Sequence, residues 1–258
     1  MKIDNLMMRG LQKKSSQGAM DVQTTAATHV GIGLKSLYYG LVTIVTAAVC
    51  YVLFYKFLGE ENDAALTILL ISAIASSIPL FILSIIISAA PKTVPVCGTI
   101  YCAIQGLFLS VMVALVDLAL PGISLAAVLG TLILFCVALL FSRVLGARIS
   151  NKLLLGLMTA LCTIALTELV LWILSLIGLY TYTAIWWLQL VSCAIGVIFG
   201  TVMLMNNFQA AEDMVNRGVD KRYEWNVGFA IVTTLIYLYL EILELLIRIA
   251  LATNKKKK

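Results

Sequence analysis

Apolar residues run along this chain in long blocks separated by short polar breaks. A helix needs about 20 consecutive, mainly apolar residues to cross the hydrocarbon core of a bilayer. Seven blocks of that kind are present: Leu37–Leu58, Ala64–Ala90, Val96–Val116, Ile123–Ser142, Leu153–Ile177, Ala184–Met205 and Trp225–Leu251. The second is longer than a straight crossing and holds Pro79, which removes a backbone hydrogen bond and predicts a kink. Pro121–Gly122 marks the turn between the third and fourth blocks. The breaks leave no room for a soluble domain. The pattern predicts an all-α integral membrane protein. Residues 1–36 read as a flexible N-terminal tail, 37–251 as a seven-helix transmembrane domain, and 252–258 as a basic C-terminal tail.

The last block departs from uniform apolarity. Thr234, Tyr237, Glu241, Glu244 and Arg248 recur at intervals of three and four. At about 100° per residue they share one face of a helix. A polar stripe cannot face acyl chains, so the pattern predicts a last helix at the centre of the bundle, wrapped by the others. Glu244 and Arg248 form a favourable i,i+4 pair that can neutralise itself near the helix end. Glu241 lies deeper and is the leading candidate for an ion or proton site, with a structural, hydrogen-bonded role as the alternative. Further polar positions inside the spans are Glu168 in the fifth, which has no partner within its own helix, and Gln105 in the third. Asn206 and Asn207 close the sixth. Amides in such places commonly serve as hydrogen bonds between helices. Ser192, Gly196 and Gly200 repeat at intervals of four, as do Gly106, Ser110 and Ala114, and both series read as close-packing seams. Tyr180, Tyr182, Trp186 and Trp187 suit an interfacial aromatic belt.

Composition and charge narrow the function. Of 258 residues, 62% are apolar and only 12% charged, against about 25% charged in soluble domains. That excludes a soluble enzyme, a disordered chain and a nucleic-acid binder, and a net charge of +5 is too small to change this. Lys2, Arg9, Lys13, Lys14, Lys35, Lys92, Arg143, Arg148, Lys152, Arg217, Lys221 and Arg222 all fall on one side if six spans alternate, while the other side has Lys56 with Glu60, Glu61, Asp63 and Asp117. By the positive-inside rule the N-terminus is cytoplasmic. Lys255 to Lys258 lie outside if the last helix crosses fully and inside if it re-enters. The six cysteines sit in apolar runs without metal-ligand spacing and read as small helix residues. No apolar signal segment opens the chain, and no hydrolase, zinc-protease or nucleotide-loop motif occurs. No enzymatic activity and no cofactor is expected.

The stretch from Asn206 to Leu246 resembles the Bax inhibitor-1/YccA family, most closely its prokaryotic YccA-like branch. The resemblance is carried by Asn207–Phe208, Glu224–Trp225 and Leu238–Tyr239–Leu240–Glu241. A second match lies at Gln105–Gly106–Leu107–Phe108–Leu109 and from Pro121–Gly122–Ile123 to Val128–Leu129–Gly130–Thr131. The resemblance covers about 35–250 and implies seven helices with the last one central. It also implies, for some members, a pH-sensitive calcium leak in which a carboxylate at the end of span six faces one on helix seven. Here those positions are Asn207 and Glu241, so the first carboxylate is an amide, and Gln105 stands where the branch usually has a Glu. No arginine occurs in span two, where channel members carry a basic partner. Calcium is then the implied cargo. The alternative is a non-conducting membrane protein that restrains a membrane protein or protease complex, as some YccA-like members are held to do. A small-molecule transporter would show paired helix breaks, and only Pro79 offers one. The implied location is a bacterial or archaeal cell membrane, with the ER membrane as the alternative.

Overall fold

A computed structural model describes residues 26–58, 64–144, 150–176 and 186–255. Seven long α-helices make up nearly all of them: α1 His29–Leu58, α2 Ala64–Ala89, α3 Val94–Ala119, α4 Ile123–Val144, α5 Asn151–Leu176, α6 Trp186–Asn216 and α7 Glu224–Lys255. Two short 3-10 turns, Pro91–Thr93 and Lys221–Tyr223, lead into α3 and α7. By length and composition, six of the seven can cross a membrane, while the described apolar stretch of α5 is the shorter Leu155–Ile164. The helix α2 continues through Pro79.

The exposed faces of these helices are apolar. Along α1, Val30, Leu34, Leu37, Leu41, Ile44 and Val45 are exposed, and Ile71, Ile74, Ile78, Phe81 and Ile85 repeat the pattern on α2. Stripes of this length at helical spacing are stable only where the surrounding solvent is hydrocarbon. The fold is that of a multi-pass membrane protein.

Helix α1 begins at His29 rather than Leu37, which corrects the expected flexible tail over 26–36. The reason is local capping reinforced by a distant contact. The Thr28 hydroxyl accepts the Gly31 N–H at 3.0 Å, an N-cap. Just before it, the Ala27 N–H donates to the Val219 carbonyl at 2.8 Å. Residues 1–25 lie outside the described residues. Helix α6 runs past the expected end at Met205 to Asn216. It stops in a Schellman arrangement, with Gly218 N–H bonded to Val215 and Val219 N–H to Met214. Gly218 supplies the positive φ of 62° that this cap requires. Gly122, with φ 89°, does the same in the turn between α3 and α4.

The chain divides into two compact units. One contains 3–121 and 210–233, hence α1, α2, α3, the end of α6 and the start of α7. In it, buried Tyr39 donates its hydroxyl to the Val94 carbonyl at 2.8 Å and meets Phe229 edge-on at 5.6 Å. Gly106 lies against the α1 backbone: a Cβ there would come within 2.6 Å of the Thr43 carbonyl oxygen. Ser110 and Ala114 are buried on the same helix. The other unit contains 122–209 and 234–258, hence α4, α5, most of α6 and the rest of α7. Its buried residues include Ala127, Cys193, Leu204, Leu238 and Ile242. From Glu224 to Leu243 the residues of α7 are buried or partly buried, and none is exposed.

Candidate functional site

In the unit of 122–209 and 234–258, the polar stripe of α7 meets a stripe of small and polar residues on α6. The paired positions run in opposite directions along the two helices, as antiparallel neighbours must. Asn207 donates from Nδ2 to the Thr234 hydroxyl at 2.8 Å, both side chains being buried. Gly200 lies under Tyr237 and Leu238, where a Cβ would come within 2.7 Å of a Leu238 methyl. Gly196 lies under Glu241: a Cβ there would come within 2.8 Å of Oε1 and closer still to the rest of the carboxylate. The glycine spacing therefore does more than let backbones approach, because at Gly196 it makes the room that a carboxylate fills. Tyr237 lies near Glu241 one turn away, and its ring meets Phe199 edge-on at 6.2 Å.

Toward the end of α7, the Arg248 guanidinium donates to Glu244 and to Gln189 Oε1 of α6. Buried Cys193 lies near this guanidinium. Glu244 and Arg248 thus form the expected i,i+4 pair. Gln189 was not legible as its partner, because nothing in the spacing of either helix points to it. Of the other sequence candidates, Gln105 is buried on α3 in the other unit. Glu168 belongs to α5, and its side chain lies outside the described residues, as do those of Trp186 and Trp187. Tyr180, Tyr182 and 256–258 lie outside them altogether. Among the described residues, no group of three or more His, Cys, Asp or Glu could hold a metal ion.

A second polar cluster, in the unit of 3–121 and 210–233, was missed by sequence reasoning. Glu224 opens α7 with its side chain fully enclosed. Its Oε1 accepts the Thr28 N–H at 2.8 Å and its Oε2 accepts the Lys35 ammonium at 2.6 Å. Gly31 leaves room for this carboxylate, since a Cβ there would come within 2.6 Å of its Cδ. Lys35 also donates to the Lys221 carbonyl at 3.1 Å and stands 5.1 Å above the Trp225 ring. The carboxylate at the first turn of α1 also suits the helix dipole. Next along, buried Asn226 has no partner for its Oδ1 among the described residues.

The helices, their apolar exposed faces and the polar seam between α6 and α7 define a multi-pass helical membrane protein. Residues 7–250 match the family described as Bax inhibitor 1 like. The chain belongs to that family, and no curated protein or solved structure matches it.

Proposed function

We propose that the protein is a seven-crossing bundle with α7 at its centre, which carries a passive cation leak with Glu241 as its ionisable site. The observation that carries the reading is the position of Glu241. Its carboxylate is turned away from lipid and set over Gly196, in a seam that also holds Tyr237, Asn207 and Thr234. A carboxylate in an apolar span is costly, and such groups mark ion or proton paths. Calcium is the cargo to test first, since the family contains calcium leak pathways. The charge distribution favours a cytoplasmic N-terminus, and the likeness to the prokaryotic branch favours a bacterial or archaeal cell membrane.

One observation favours the second reading, a non-conducting regulator of another membrane protein. Asn207 supplies an amide that is tied to Thr234, where channel members carry a carboxylate. Calcium flux into proteoliposomes at mildly acidic and mildly alkaline pH separates the two. Flux above that of empty vesicles supports the leak. Flux absent from the parent and present in Asn207→Asp supports the regulator.

A further inference from the structure

The 3-10 turn before α3 and the 3-10 turn before α7 approach each other to within 8 Å between Cα atoms. Lys92 lies on the first turn and Lys221 and Arg222 on the second, and Arg217 precedes the cap that ends α6. All four side chains are exposed. Among the described residues none of the four cationic groups has an ion-pair or hydrogen-bond partner. The acidic side chains nearest in sequence are otherwise engaged or set back. Glu224 is enclosed by Thr28 and Lys35, and its charge also attracts Lys221 without an ion-pair contact. Asp220 accepts the Arg222 backbone N–H at 3.1 Å, which holds the turn and leaves the guanidinium outside it. Glu212 and Asp213 sit back on the last turns of α6.

The depth of this surface follows from what adjoins it. The candidate spans Pro91–Ala119 and Lys221–Thr253 begin at the two turns themselves. Trp225 and half-exposed Tyr38 meet edge-on at 5.7 Å directly beside them, and amphipathic rings of this kind sit at the headgroup level. The four cations are therefore placed where a bilayer carries its phosphates. Topology alone requires only that basic residues lie on loops of one side. It does not require two loops distant in sequence to be brought close together with their cations exposed.

We infer that Lys92, Lys221 and Arg222, with Arg217 at the rim, form a binding surface for the phosphate of an anionic lipid headgroup. Arg222 offers a planar fork to phosphate oxygens, and the lysines add point charge. The surface is independent of any conduction through the α6–α7 seam.

The test is retention of lipid by the purified full chain in detergent, counted by native mass spectrometry. Phosphatidylglycerol and phosphatidylcholine are the probes, with inorganic phosphate as competitor. The expected result is preferential retention of phosphatidylglycerol, undisturbed by millimolar inorganic phosphate. Charge near a membrane surface contributes about fivefold per residue, so K92Q/K221Q/R222Q should lose about a hundredfold. K92R/K221R, which keeps the charge, and Lys56→Gln, at the opposite end of α1, should retain the lipid as the parent does. Should the triple variant elute as unfolded material, Arg222→Gln alone, with about a fivefold loss, is the readout. Equal retention of the two lipids, or neutralised variants that behave like Lys56→Gln, would overturn the proposal. Displacement by inorganic phosphate would identify a soluble anion as the ligand and overturn the lipid assignment.

Discussion

The enclosed ion pair between Lys35 and Glu224 makes a quantitative prediction. The Glu224 side chain has 0% exposure and that of Lys35 has 15%. Replacing Lys35 with Met keeps an apolar stem beside Trp225 and removes the ammonium. Glu224 then keeps the Thr28 N–H but loses its counter-charge, and breaking a buried pair from one side costs about 3–5 kcal/mol. The companion change, Glu224→Gln, keeps an acceptor for Thr28 and leaves Lys35 able to turn toward the Lys221 carbonyl and solvent. It should cost about 1.5–3 kcal/mol, the range for hydrogen bonds to charged groups. With both charges removed, only lost polar contacts remain, about 1 kcal/mol. The double-mutant cycle should therefore close with a coupling of about 3 kcal/mol or more. The assay is SDS titration of the protein in mixed micelles, followed by tryptophan fluorescence. A Lys35→Met cost below about 1 kcal/mol, as for an exposed pair, would refute this reasoning. So would an additive cycle.

Two further outcomes follow from the α6–α7 seam. Gly196→Val should destabilise by about 1–3 kcal/mol, because its Cβ would overlap the Glu241 carboxylate. The cost should shrink in a Glu241→Ala background, whereas Gly33→Ala, with nothing within 4 Å, should be neutral or stabilising; thermal melting of these variants beside the parent reads this. Asn207→Asp should still fold, because the Thr234 hydroxyl can turn from acceptor to donor. Its melting temperature should approach that of the parent in acid, where the new carboxyl is neutral, and fall as pH rises and a buried charge forms. A melting temperature independent of pH would show that this position meets water.

What was legible in the sequence is what depends on local spacing. The apolar blocks predicted the long helices because each helix satisfies its own backbone and only its composition has to suit the bilayer. Glu244–Arg248 was legible because both partners lie on one helix. The stripe on α7 and the glycine series on α6 were legible separately. That Gly196 lies under Glu241 depends on the register of two helices, which neither pattern contains. Lys35 counted only as a topology charge, and its partner Glu224 is 189 residues away. The same pair explains the missed start of α1, since His29 to Ser36 is too polar and glycine-rich to read as a span. The helix is capped there by Thr28 and closed by a carboxylate from α7. The end of α6 was set too early for the opposite reason. Gln209 to Asn216 is polar but helix-forming, and nothing stops it before Gly218.

The most direct measurement is calcium flux into proteoliposomes that hold equal amounts of the parent protein and of Glu241→Gln. The variant keeps the shape of the side chain over Gly196 and removes only its ability to carry charge. If Glu241 is the ionisable site of a leak, the parent conducts above empty vesicles and the variant falls to their level. Equal flux through both proteins, or none through either, would contradict it.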